Sequence, residues 1–185
     1  MKYKLIVAHC KNNGIGINNN LPWSIKSDLK KFSKLTKDSG NNAVIMGSRT
    51  WLSIPKTPLK GRDNLILSGS IQLDNEKDNE TEIIKSFKDI KSIKDYCEKK
   101  NYDTVWIIGG HQVYKVFLDD PDLKELHITY IDKEFNCDTF FPEFESKWTM
   151  IMHEIHSINS SELNPNEMIN RVYDRLYIPL KDGLI

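Results

Sequence analysis

Three short apolar runs, each ending in glycine or serine, constrain the fold of this chain more than any other feature. Ala43-Val44-Ile45-Met46 runs into Gly47-Ser48, Asn64-Leu65-Ile66-Leu67 into Ser68-Gly69, and Thr104-Val105-Trp106-Ile107-Ile108 into Gly109-Gly110. Runs without polar alternation suit strands covered on both faces, as in a parallel sheet, and the turn residue after each suits the opening of a helix. Leu5 to Ala8 reads as a further short strand. After Gly109-Gly110, Val113, Val116 and Phe117 fall on one helical face, and Ile90, Ile93 and Cys97 do the same over roughly Asp89 to Lys100. Leu126 to Ile131 alternates as a strand does. Thr149 to Ile155 and Met168 to Ile178 alternate too and read as a terminal antiparallel pair, with the polar, turn-rich Ser157 to Asn166 between them. Crossover strands first and an antiparallel edge last place the chain in the α/β class. No repeat or interior linker divides its 185 residues, so residues 1–185 read as one domain. Leu73 to Thr81 reads as a charged, Asn-rich surface loop.

Charge argues against a polyanion. Lys plus Arg is 26 and Asp plus Glu is 26, so nucleic acid is not an expected partner. Cys10, Cys97 and Cys137 are odd in number and widely spaced, which suits neither a disulfide framework nor a zinc site. The five His residues lack ligand spacing, and no metal is expected. The first residues are too short for a signal peptide, and no run approaches a membrane span. The expectation is a soluble, cytoplasmic protein, monomeric because no large apolar patch is visible.

Between residues 14 and 28 a different pattern appears. Gly14-Ile15-Gly16 and the polar Asn18-Asn19-Asn20 make a loop able to take positive φ and to move. Leu21-Pro22-Trp23 follows, and Asp28 then opens an amphipathic helix with Ile25, Leu29, Phe32 and Leu35 along one face. A carboxylate beside that stripe is desolvated, which raises its pKa and suits a substrate that must be protonated. On these residues, together with Gly109-Gly110, Ile128-Thr129 and Asp138-Thr139-Phe140-Phe141-Pro142, the chain resembles the dihydrofolate reductase family. The acid is Asp, as in bacterial members, where vertebrate members carry Glu. Gly109-Gly110 is not a GxGxxG fingerprint, so an ordinary Rossmann reading does not apply.

The resemblance implies a mixed eight-stranded sheet, mostly parallel, with an antiparallel C-terminal edge and about four flanking helices. It also implies NADPH-dependent reduction of 7,8-dihydrofolate to 5,6,7,8-tetrahydrofolate. A hydride passes from nicotinamide C4 to pterin C6 while N5 takes a proton, and antifolates such as methotrexate would bind the same site. Asp28 would bond the pterin 2-amino group and N3, with Thr129 bridging the two. Trp23 would hold the water that delivers the proton, and Leu21 would meet the nicotinamide. Ile6, Val7, Ala8, Leu29 and the Ile108 carbonyl would line the pterin site. Phe32, Ile54 and Leu59 would wall the p-aminobenzoyl tail, and Arg62 would grip its glutamate α-carboxylate. The resemblance also makes the Gly109-Gly110 peptide cis.

The dinucleotide would lie along Ala8, the loop residues Ile15, Gly16, Asn19 and Asn20, and three strand ends. These are Gly47-Ser48-Arg49-Thr50, Leu67-Ser68-Gly69, and Ile108-Gly109-Gly110-His111-Gln112-Val113-Tyr114. From sequence alone Ser48 reads equally well as a plain helix N-cap. Vertebrate members carry a basic residue at the Ser48 position, which puts more of the 2′-phosphate on Arg49. Gly69 departs from the family's Ser-Arg or Ser-Ser pattern and bears on the choice between NADPH and NADH. Two alternatives stay open: a nicotinamide-dependent pyrimidine reductase of the riboflavin-synthesis type, which shares this fold, and the reductase half of a fusion with thymidylate synthase.

Overall fold

The computed structural model describes residues 1–38, 40–75, 82–156, 169 and 171–180. Eight strands form one sheet: β1 (Lys2–Cys10), β3 (Asn42–Gly47), β4 (Asp63–Leu67), β5 (Ile84–Phe87), β6 (Thr104–Gly109), β7 (Leu123–Ile131), β9 (Trp148–Ile155) and β10 (Val172–Pro179). Their order is β5-β4-β3-β6-β1-β7-β10-β9. Pairing is parallel from β5 through β7 and antiparallel for β7–β10 and β10–β9. The helices are α1 (Lys26–Lys37), α2 (Ser48–Ser53), α3 (Ile90–Lys100) and α4 (His111–Leu118). Two short strands, β2 (Gly14–Gly16) and β8 (Thr139–Phe140), pair apart from the main sheet.

The apolar runs are buried on both faces because successive strand residues point to opposite sides. Leu5, Val7, Ala43, Ile45, Leu65, Val105 and Ile107 pack with Ile93 and Cys97 of α3 and with Val113 and Phe117 of α4. Their alternates Ile6, Val44, Met46, Ile66 and Trp106 pack with Phe32 and Leu35 of α1, with Trp51 of α2 and with Ile54 just after it. Helices on both faces therefore fill the central strands. Asp89 starts α3 as an N-cap, its carboxylate accepting from the Ser92 N–H at 2.8 Å.

Several expectations are corrected. No helix follows Ser68-Gly69: the Ser68 hydroxyl accepts from the Ser70 and Ile71 N–H groups at 3.2 and 3.0 Å, closing a turn that leads on to β5. Residues 73–75, the described part of the expected surface loop, are tied to β5, with Asp74 bridging Lys85 and Leu73 O accepting from Ser86 N at 2.9 Å. Gly14-Ile15-Gly16 is strand rather than open loop, and the positive φ values fall on Asn13, Asn18 and Asn19 instead of the glycines. Asn tolerates the left-handed region, while Gly14 is needed because a Cβ there would overlap Cys137 Sγ. Ser157 to Asn166, Met168 and residues 76–81 lie outside the described residues.

Candidate active site

Parallel register lines up the carboxyl ends of the strands, where open α/β sheets bind ligands. Gly47 pairs with Leu67, Met46 with Gly109, and Ala8 with Thr129. The three strand ends assigned to the dinucleotide thus stand side by side. Ser48 is the first residue of α2, with Gly47 at the cap and no side-chain cap bond, so Ser48 is not an N-cap. Gly47 and Gly110 allow close approach: a Cβ on Gly47 would lie 3.3 Å from Val113 Cγ2, and one on Gly110 would lie 3.2 Å from Thr50 Oγ1. The Gly109–Gly110 peptide is cis. Two helix N-termini are thereby brought together over backbone that carries no side chains, a concave row of N–H donors suited to an anion. Arg49 and Gln112 lie on those same first turns.

His111 Nδ1 sits 2.7 Å from the Phe140 carbonyl, tying α4 to β8. Strand β8 in turn pairs with β2, which carries Ile15 and Gly16. Beyond β2, Asn18 and Asn19 form a tight turn closed by the Ile17–Asn20 bridge, and the Asn18 N–H donates to Asp138 Oδ2 at 2.7 Å. A Cβ on Gly69 would meet nothing within 4 Å, and Gly69 borders a cavity of about 340 Å³ with Ser68, Phe87 and Lys88 on its wall.

Asp28 lies in the first turn of α1. The residue is half-buried, but its carboxyl is well enclosed. Desolvation is the largest influence and raises its pKa; the nearby Thr129 hydroxyl, Lys31 and His156 pull it down without reversing the shift, and Asp174 adds to the rise. Thr129 is 2% exposed. Trp23 is buried, and its indole N–H meets no protein acceptor. The stripe expected on α1 divides: Ile25 is buried at the helix start, Phe32 and Leu35 are partly covered, and Leu29 is 51% exposed. Leu21 is equally exposed.

Ile6, Phe32, Ile54, Leu59 and Ile108 belong to one apolar cluster on the α1 side of the sheet, whereas Val7 packs on the opposite face. Tyr114 is buried and donates to the Ile6 carbonyl at 3.0 Å. Arg62 is 5% exposed, with its Cζ 5.6 Å from the Phe32 ring centre; Nη1 donates to Lys60 O at 2.8 Å, and the buried Nε has no protein partner. Sequence reading missed what holds Arg62 there. Fully buried Asn64 donates to Leu59 O and Arg62 O at 3.1 and 2.9 Å and accepts from Leu59 N at 2.9 Å, stapling the loop. A polar residue opening an otherwise apolar run was the available signal.

An enclosed acid at the head of α1 and glycine-fronted helix starts at the carboxyl ends of parallel strands suit an α/β enzyme with an anionic ligand. Comparison with known proteins carries this to a family. A family model described as dihydrofolate reductase matches residues 2–175. A dihydrofolate reductase of Heliothis virescens is 34% identical over 184 residues, covering 95% of this chain and 98% of its own. One from Gallus gallus is 42% identical over 150 residues, 77% of this chain and 78% of its own. A bifunctional dihydrofolate reductase-thymidylate synthase of Arabidopsis thaliana is 37% identical over 154 residues, which is 78% of this chain and 27% of that one. The chain belongs to the dihydrofolate reductase family, and its reaction is the reduction of dihydrofolate with a nicotinamide cofactor. The relatives named here are dihydrofolate reductases, not pyrimidine reductases. Among the described residues no helix is long and apolar enough to cross a membrane.

Proposed function

We propose that this reduction uses NADPH and that Asp28 is the residue gripping the pterin. The observation that carries the reading is the Asp28 carboxyl, desolvated at the head of α1 beside the buried Thr129. An ionised carboxylate offers two acceptor oxygens to the amino-pyrimidine edge, which an amide cannot do. In a poorly solvated site that negative charge favours the protonated pterin over the neutral one. The unpartnered Trp23 indole N–H lies in the same part of the fold and suits a proton-delivering water.

The glycine-fronted ends of α2 and α4 would take the pyrophosphate, with Arg49 as the cation for the 2′-phosphate. Ser70 joins the residues at that end: it is exposed, and its hydroxyl lies 3.4 Å from that of Ser68, beside the open space at Gly69. When bound, NADPH supplies the hydride. The Asn18-Asn19 turn, held through Asp138, would carry Ile15, Gly16 and Leu21 over the nicotinamide and exclude water. Arg62 would hold the substrate tail against Phe32. Free thiols at Cys10, Cys97 and Cys137 suit a reducing compartment, which we take to be the cytoplasm.

The test is Asp28→Asn. NADPH binding and fold should survive while dihydrofolate turnover near neutral pH falls by about 10²–10⁴-fold, the range for loss of a proton-handling group. Lowering the pH should return part of the rate, because solvent then protonates the substrate. Turnover close to wild type at neutral pH would remove Asp28 from the mechanism.

A further inference from the structure

The sheet face beneath α1 is apolar over β3, β4 and β6 but changes character over β1, β7 and β10. Register places Lys4 beside Glu125, Ile6 beside His127 and Ala8 beside Thr129, with Asp174 across from Thr129 on the other side. Glu125, His127 and Thr129 are alternate residues of β7 and so share one face. Two polar groups occupy it. In the first, Glu125 Oε2 meets Lys4 Nζ at 2.9 Å and His127 Nε2 at 2.7 Å. In the second, Lys31 Nζ lies 2.6 Å from Asp174 Oδ1 and 3.2 Å from Thr129 Oγ1, and His156 Nδ1 lies 3.0 Å from both Asp174 oxygens.

The chemistry of these groups leaves one direction for each bond. An ammonium only donates, so Thr129 Oγ1 accepts from Lys31. The hydroxyl has a single hydrogen, and accepting from Lys31 leaves that hydrogen to be donated; the Asp28 carboxyl, an acceptor when ionised, stands beside it one helical turn back from Lys31. Asp174, also acceptor-only, takes a hydrogen from Lys31 and one from His156 Nδ1. Lys31 stands one helical turn beyond Asp28, on the same side of α1. The Lys31 and Asp174 side chains are each 22% exposed and His156 8%, so the geometry is held more firmly than in a surface pair.

We propose that Lys31 is a positioning residue for Asp28: anchored by Asp174 and His156, it turns the Thr129 hydroxyl into a donor toward the carboxylate and favours its ionised form. This rests on the reading of Asp28 given above. Among the described residues, the titratable groups acting on Asp28 are Lys31 from α1, Asp174 from β10, His156 after β9 and Tyr114 from α4, while Lys4, Glu125 and His127 form the separate group further along the same sheet face. Burial and the Asp174 charge oppose ionisation of Asp28, while Lys31 and His156 favour it. The Tyr114 hydroxyl is committed to the Ile6 carbonyl.

The side-chain carboxyl signal of Asp28, followed by NMR across pH in the ligand-free enzyme, tests this without substrate. In Lys31→Met the midpoint should rise by about one pH unit, the lower end of the effect of an adjacent opposite charge. In a Thr129→Val background the same substitution should move it less than half as far. The acid limb of kcat/KM for dihydrofolate should shift to higher pH with the midpoint, leaving the kcat plateau in place. An unmoved Asp28 signal in a folded, NADPH-binding variant overturns the proposal, and so does an equal shift with and without the Thr129 hydroxyl. Lys31→Gln answers the same question if the Met variant fails to fold. Turnover of Asp28→Asn judges the underlying reading separately, because that assay does not involve Lys31.

Discussion

Arg62→Leu tests the proposed grip on the substrate tail. In the native protein Arg62 is 5% exposed, its guanidinium near the Phe32 ring and held by one bond from Nη1 to Lys60 O. Its buried Nε meets no protein acceptor, so the planar fork keeps donors for a carboxylate. Two parallel charge-assisted bonds are worth about 1.5–3 kcal/mol each, and the cost of desolvating the incoming carboxylate argues for the lower end, about 3 kcal/mol together. At about 1.4 kcal/mol per decade, this is roughly a hundredfold in affinity. The fold should tolerate the change. Leucine loses the Lys60 bond, about 1 kcal/mol, but also removes a buried charge whose desolvation already lowers the guanidinium pKa. Initial rates of NADPH oxidation should therefore show KM for dihydrofolate rising by roughly a hundredfold, with kcat and thermal stability nearly unchanged. A dihydropterin lacking the glutamate should show little change in KM. Equal increases for both substrates would refute the assignment of Arg62 to the tail.

Two further predictions concern stability and the dinucleotide. Because burial raises the Asp28 pKa above its unfolded value, folding opposes ionisation of this group; the cost sets in as pH rises past about 4 and is complete above the folded pKa. Ligand-free Asp28→Asn should therefore melt at a higher temperature than wild type at pH 7, with the gap closing toward pH 4, and a lower melting temperature at neutral pH would contradict this. Gly109→Ala places a Cβ at φ +119° and 3.1 Å from the Tyr114 hydroxyl. It should cost about 1–3 kcal/mol of stability and weaken NADPH binding at least tenfold, measured by denaturant unfolding and by cofactor titration.

Much of the architecture was legible because buried parallel strands leave a one-dimensional mark. The runs at Ala43, Asn64 and Thr104 must be apolar on both faces, and the glycine after two of them must admit a helix start at close range. Asp28 was legible for a related reason: it shares a short stretch with Trp23 and the face of one helix. Strand β5 was not, since all four of its residues are only partly buried and carry no clear alternation. Nor was the turn after Leu67, because a serine that opens a helix and one that closes a turn look alike until the backbone N–H groups around it are placed.

Local sequence determined which segments become strand or helix and put an acid at the head of α1, since propensity, periodicity and turn chemistry act within a few residues. Only the tertiary structure decided what surrounds that acid. Lys31 and Asp174 are 143 residues apart in the chain and meet because β10 lies against β7 beneath α1. Hydrogen-bond direction and desolvation depend on neighbours in space, and no spacing along the chain records them.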